Sequence, residues 1–461
     1  MSDLEVITLR TFPSLRLDPA ALPHDPPNII SEVNVSDLTG RPATKIAVAT
    51  NDPPFNESPR EARVKANAQF AALCWSLFLL GWNDGCTGPL LPRIQSVYHV
   101  GFAVVSLIFV SGTLGYVCGA AANVFLTDRL GLGKVMVLGS VASAIAFALE
   151  TSAPPFPVFV IAFAFHGFGG ALQDAGANGY VASLSSKDAA TKMGILHAVY
   201  GLGAFVSPLI ATQFSQLHRW SFHYLTSLGI ATINIAVLIV VLRFKTQEEC
   251  LLEIGQVPSE PSAAQTSQGN KYKQIFRLSA VHYLALFLTV YVGIEFTIGG
   301  WIVTYLQDVR HGGPSSGYVS FGFFGGLTVG RIALLWLNKK VGERRVIFLY
   351  AFLAIGLELV IWLVPSLIGG AVAVSVIGVL LGPVFPIAMN HSGRILPPWL
   401  LTGAIGWIAG FGQASSAVLP FLTGLLASRE GIKSLQPLLV AMMGVMTILW
   451  ALVPGEPRRL D

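Results

Sequence analysis

Twelve apolar runs, each long enough to cross a lipid bilayer, constrain this chain more than any other feature of its sequence. They lie at about 67–92, 101–126, 133–151, 156–183, 192–216 and 221–243, then 278–307, 315–338, 344–365, 368–392, 399–428 and 434–453. A helix rises 1.5 Å per residue, so roughly 20 apolar residues span the hydrocarbon core. Only 12% of the 461 residues are charged, and mean hydropathy is +0.63. A soluble domain of this size carries about 25% charged residues. The expected fold class is therefore all-α integral membrane, with twelve transmembrane helices.

Between the sixth and seventh runs stands "KTQEECLLEIGQVPSEPSAAQTSQGNKYKQIFR", which is too charged to span anything. The expected organisation is a disordered cytoplasmic tail (1–65), an N-terminal six-helix bundle (66–243), a cytoplasmic linker (244–277), a C-terminal six-helix bundle (278–453) and a short tail (454–461). The first 65 residues are rich in Pro, Ser, Asp and Asn and hold no secretory signal peptide. With both termini in the cytoplasm, only Arg93, Arg219, Arg310, Arg429 and Lys433 of the 29 basic residues fall outside. That bias fits the positive-inside rule. The plasma membrane is the expected location, with a vacuolar or other internal membrane as the alternative.

The two halves resemble one another. At one constant spacing, Gly115, Gly119 and Gly131 fall on Gly326, Gly330 and Gly342, and "DRLGLGK" lies over "KKVGERR". At a spacing one residue longer, Gly81, Gly88 and Gln95 meet Gly293, Gly300 and Gln307, and Asn178 meets Asn390. Two homologous halves make the bundles pseudo-symmetric and place a solute site between them, near the bilayer midplane. The 47 glycines suit close helix packing in lipid.

Three acids interrupt the apolar runs: Asp84 in "LGWNDGCTGPLLP", Asp174 in "HGFGGALQDAGANGYV" and Glu295 in "YVGIEFTIGGWIVTYL". A carboxylate at the bilayer centre costs at least ~2.5–3.5 kcal/mol, and burial favours its neutral form. Such groups persist where they face a cavity, a partner or a pathway. Each also has a plainer reading, as a structural hydrogen-bonding group between helices. Gly85, Gly88, Pro89 and Pro92 after Asp84 are expected to loosen the first helix beside that cavity.

Asp128-Arg129-Leu130-Gly131 followed by Lys134 resembles the loop between the second and third helices of the major facilitator superfamily. In the second copy Lys339 replaces the acid. The resemblance spans about 67–453 and implies the major facilitator fold, with Asp128, Arg129, Gly131 and Lys134 as a gating loop. "GFGGALQDAGANGY" and "NDGCTGPLLP" further resemble the fucose–proton symporter family, and "YVGIEFTIGGWIVTYL" resembles the fungal pattern within it. That likeness implies Asp84 and Asp174 as carriers of proton and substrate contacts, and Glu295 joins them as an expected proton-coupling group. The expected solute contacts are Asn83, Gln173, Asn178, His197, Trp301, Asn390 and Gln413. His197 stands where the family has a glutamine, and Glu295 where bacterial members have an amide, so the resemblance does not assign a sugar.

Among the alternatives at these positions, His197 can bond a backbone carbonyl. Amides such as Asn390 and Gln413 can join helices, and Trp301 can anchor at an interface. Cys74, Cys86 and Cys118 sit in apolar runs and Cys250 in the linker, which is neither a disulfide framework nor a metal motif. No Walker, metalloprotease or nucleophile-elbow spacing occurs in a soluble context, so an ion gradient is the expected energy source and no cofactor, metal or enzymatic activity is expected. The net charge of +4 is spread over many loops and marks no nucleic-acid partner. The expected function is secondary active transport of a small organic solute by a monomer in the bilayer, coupled to protons in symport. Proton-driven export and a transporter-like nutrient sensor are the alternatives.

Overall fold

The computed structural model describes residues 59–184, 186–256 and 268–455. Most of the expected N-terminal tail, the middle of the linker and the last six residues lie outside that range. Within it every regular element is helical. The first half comprises α1 (Pro59–Tyr98), the short α2 (Phe102–Val105) running into α3 (Leu107–Leu130), α4 (Leu132–Thr151), α5 (Phe156–Ala182), α6 (Ser186–Ser215) and α7 (Phe222–Leu242). The linker contributes α8 (Gln247–Glu253) and α9 (Gln268–Arg277). The second half comprises α10 (Ser279–Asp308), α11 (Tyr318–Ala333), α12 (Leu335–Val341), α13 (Glu343–Leu363), α14 (Leu367–Leu381), α15 (Val384–Ile395), α16 (Pro398–Glu430) and α17 (Leu435–Leu452).

Among the described residues eleven spans are long and apolar enough to cross a membrane, and twelve if α11 and α12 count as one. The expected eighth span is therefore present but bent, by 54° at Leu334. The bend has a polar cause. α12 carries Asn338, Lys339 and Lys340, and the turn tucks Asn338 under α13, where its side-chain oxygen accepts the Tyr350 hydroxyl at 2.6 Å.

Twelve alternating spans put the start of α1 and the end of α17 on one face, called here the terminal end. The linker is anchored at that end. Thr246 and Glu249 form a reciprocal capping box on α8, and Lys245 pairs with Glu253. Gln69 of α1 donates to the Cys250 carbonyl at 3.3 Å and accepts the Tyr180 hydroxyl of α5 at 2.5 Å. The loop between α3 and α4 joins the same corner, because the Gly133 N–H donates to the Lys245 carbonyl at 2.8 Å. Gly131 turns there with φ +80, and its counterpart Gly342 turns between α12 and α13 with φ +91.

The sequence repeat has a physical basis in close backbone contact. A methyl group on Gly115 would lie 2.0 Å from the Ala164 carbonyl oxygen, and one on Gly326 would lie 2.3 Å from that of Ser375. Gly119 and Gly330 repeat the relation one turn on, against Phe168 and Val379. Both pairs join the second span of a half to its fourth. In α1 the prolines do not break the helix, which stays continuous to Tyr98. They remove the N–H partners of the Gly85 and Gly88 carbonyls without unwinding the chain.

Two outcomes follow. Gly330→Val drives a side chain into backbone and is expected to abolish a monodisperse peak on detergent size exclusion, whereas Gly229→Ala, with open space around it, leaves elution and melting temperature unchanged. The Cys250 thiol is buried, which pushes its pKa up to about 11, with Glu253 adding to the rise. Its alkylation by maleimide in folded protein is expected to be negligible at pH 7 and to climb about ten-fold per pH unit toward pH 11.

Candidate functional site

The two halves meet at the end far from the termini. There Gly88 of α1 presses on the Gly299 carbonyl of α10, Gly325 of α11 on the Phe205 ring of α6, and Gly424 of α16 on Ser106. Phe205 and Phe321 stack at 4.2 Å between centroids, and Trp301 meets Phe102 and Phe109 at 6.0 and 6.2 Å. Gln213 bonds the Tyr318 hydroxyl across the same seam. Toward the terminal end, Gly179 of α5, Gly194 of α6, Gly393 of α15 and Gly410 of α16 face open space. The halves are thus sealed at the far end, and the partial exposure of Asp84, Asp174 and Glu295 at mid-depth, with that of His197 nearer the terminal end, marks a gap between them on that side.

At mid-depth in this gap the polar side chains gather. α1 and α6 approach so closely that a methyl on Gly81 would lie 1.9 Å from the Tyr200 carbonyl oxygen. That contact brings the Tyr200 hydroxyl to Asp84, to which it donates at 2.6 Å, and Asn83 bonds the same carboxylate. Asp174 on α5 accepts the Tyr116 hydroxyl of α3 at 2.7 Å and the Asn178 amide, one turn along its own helix, at 2.8 Å. Asp84 lies within electrostatic reach of both Asp174 and Glu295. Glu295 on α10 faces Arg331 of α11, with Tyr291 beside both. His197, exposed on α6, feels the charges of Asp174 and Arg331. The arrangement sets two carboxyl groups within electrostatic reach of a third, each of the three next to a phenol, among several hydrogen-bonding edges.

Arg331 completes the site and was read in the sequence as one of the basic residues of the cytoplasmic side. Its signal was its place: a single arginine three residues after "GGLT" of an apolar run, six residues before the polar stretch "LNKK". It lies on α11 ahead of the bend at Leu334, and its place around that helix, which turns it toward Glu295, has no signature in the apolar pattern. Two expected solute contacts lie elsewhere. Gln173 is fully buried and accepts the Asn234 amide at 2.8 Å, and Asn234 also bonds Ser76 and Ser140. Trp301 is fully buried and donates to the Pro420 carbonyl at 2.9 Å, as part of the far-end seam. Neither is presented to the gap: both are fully buried between helices, where the Gln173 oxygen is taken by Asn234 and the Trp301 indole by the Pro420 carbonyl.

The remaining positions are spread out. Asn390 is exposed on α15 and shares a small cavity of about 80 Å³ with Arg331, Asn338 and Lys339. Gln413 is half-buried on α16. In the expected gating loop Asp128, Arg129 and Lys134 are exposed at the terminal end, and Arg129 lies over the Phe125 ring. His166 packs on Phe147 at 5.1 Å, and Glu358 is buried in α13 within reach of Tyr305. No metal-binding group of His, Cys, Asp or Glu occurs among the described residues.

The Asn234 cluster separates glue from site. Asn234→Ala leaves the buried Gln173 oxygen without its partner, while Ser76 and Ser140 keep their bonds to the Ala72 and Ala231 carbonyls, at a cost of about 1–2 kcal/mol. The melting temperature in detergent is expected to fall while the KM for transport stays at its wild-type value.

Comparison with known proteins agrees with this architecture. The family model of the Major Facilitator Superfamily matches residues 73–390. Bypass of stop codon protein 6 of Saccharomyces cerevisiae is 27% identical over 83% of this chain and 81% of its own length. A glucose/galactose transporter of Brucella abortus is 23% identical over 84% of this chain and 94% of its own. The crystal structure of the E. coli fucose:proton symporter superposes with a TM-score of 0.58 at 16% identity, covering 84% of this chain and 98% of that one. The helical count, the gap between two related halves and the match over most of the sequence lead to one assignment: this multi-span membrane protein belongs to the Major Facilitator Superfamily, a family of solute transporters rather than enzymes.

Proposed function

We propose that the protein is a proton-coupled symporter of a small polyhydroxylated solute of sugar size, working by alternating access. The observation that carries this reading is the meeting of Asp84, Asp174 and Glu295 in one gap that is closed at one end and open at the other. A carboxyl group there can exchange a proton with only one side of the membrane at a time. Protonation removes a buried charge, which lowers the cost of enclosing the site between the halves. Arg331 gives Glu295 a counter-charge, so Asp84 and Asp174 are the pair whose protonation the rocking requires. Asn83, Asn178 and His197 present amide and imidazole edges beside them, suited to hydroxyl groups.

Sugar as the solute class is supported by the relatives. Those matching over most of the chain include transporters of glucose and galactose and of glucose and mannose, and a fucose:proton symporter shares the fold. In this reading residues 66–243 and 278–453 rock as two bundles joined by the linker. The terminal end, which bears most of the Lys and Arg, faces the cytoplasm, and a monomer in the plasma membrane suffices.

Counterflow in proteoliposomes, screened over glucose, galactose, mannose, fucose and xylose, tests the solute. An imposed inward proton gradient is expected to raise accumulation of the active sugar about ten-fold. Asp84→Asn is expected to abolish that gradient-driven accumulation while leaving exchange at equilibrium within about two-fold of wild type. Accumulation that is indifferent to the pH gradient in the wild-type protein would sink the coupling.

A further inference from the structure

At the terminal end of the second half, away from the gap, the turn between α12 and α13 meets the end of α15 around a cavity of about 410 Å³. Its walls carry Arg344, Arg345, Arg394 and His391 against a single acid, Glu343. The walls are built rather than loose. Arg344 donates to the Val453 carbonyl at 2.7 Å, and its own carbonyl accepts the Trp450 indole at 2.9 Å. His391 is buried, with Nε2 2.9 Å from the Pro454 carbonyl oxygen and its ring 5.3 Å from that of Trp450. Arg394 pairs with Glu343 at 2.9 Å, which leaves the cavity with an excess of positive charge. Arg345 is exposed at the rim.

We propose that this cavity binds a phosphorylated anion, with a phosphate group seated among Arg344, Arg345 and Arg394. Guanidinium groups match phosphate oxygens two at a time, and three of them around one space select a multiply charged oxyanion over a carboxylate. The first turn of α13, a helix of 21 residues, opens onto the same space at Glu343 and Arg344 and adds backbone N–H donors. The ligand can arrive in two ways. Leu349, Phe352 and Leu353 are exposed along α13, so a lipid whose headgroup fills the cavity can lay its acyl chains on that face. Lys340 over the Trp336 ring, on the neighbouring α12, marks the level of the membrane interface. A soluble phosphate ester can enter from the open rim. Neither route uses the carboxyl groups of the gap, so the site is independent of the solute carried.

The test uses the full chain in phosphatidylcholine nanodiscs. Three probes are added: phosphatidylinositol bisphosphate in the disc, inositol trisphosphate in solution, and inorganic phosphate. Binding is followed by native mass spectrometry and by the melting temperature. Wild-type protein is expected to retain at least one phosphorylated probe, and Arg345→Gln to weaken that retention roughly ten-fold. Because Arg345 is exposed, the variant should elute and melt as wild type does without the probe. Arg394→Gln in the presence of Glu343→Gln removes the ion pair without leaving an orphaned acid and is expected to weaken retention as well. Retention of the lipid but not the soluble ester assigns the headgroup source, and retention of the soluble probes alone assigns free phosphate. No retention of any probe, or retention that both variants leave unchanged, overturns the proposal.

Discussion

Two helices in lipid gain little by covering apolar side chains against each other, because the acyl chains around them are equally apolar. What holds this bundle is the direct approach of one backbone to another where a glycine leaves room. Gly81 and Gly85 bring α1 onto α6, and Gly203 returns the contact from α6 onto Phe78. Asp84 lies between those two glycines of α1, so the position of its carboxylate relative to Tyr200 is set by contacts that involve no polar chemistry. The same device, repeated at Gly115 and Gly326 and at Gly119 and Gly330, fixes α3 on α5 and α11 on α14. Site geometry is therefore a product of helix spacing, and helix spacing is a product of missing side chains.

Much of this was legible in the sequence because lipid imposes coarse rules. Length and apolarity announced the spans, and the shared order of glycines announced two related halves. Asp84, Asp174 and Glu295 stood out because an acid in an apolar run is costly wherever it ends up. The bend that separates α12 from α11 was not legible, since an apolar run that turns at Leu334 reads like one that continues. The direction in which Arg331 leaves α11 was equally hidden, so it was counted with the basic residues of the terminal end instead of with Glu295.

Polar residues in the runs were harder to sort than charged ones. Gln173 and Asp174 are neighbours, yet one bonds Asn234 in the interior of the first half and the other faces the gap. A step of one residue turns a helix by about 100°, and the sequence does not say which direction points to a cavity and which to another helix. Trp301 shows the same ambiguity on α10, where its indole serves the seam while Glu295, less than two turns earlier, serves the site. The linker was read from its charge as a solvated connection. Its first part is instead bonded to α1 and to the α3–α4 loop through Gln69 and Gly133, because α8 offers a capped end and a buried Cys250.

The seam at the far end has a thermodynamic character of its own. Among the described residues it contains ring contacts, glycine backbones and the Gln213–Tyr318 bond, and no ion pair. Parting it wets aromatic surface instead of separating opposite charges. Hydration of that surface carries a positive heat-capacity change. The cost of parting the seam should thus drift with warming or cooling, and salt should act instead through the charged terminal end.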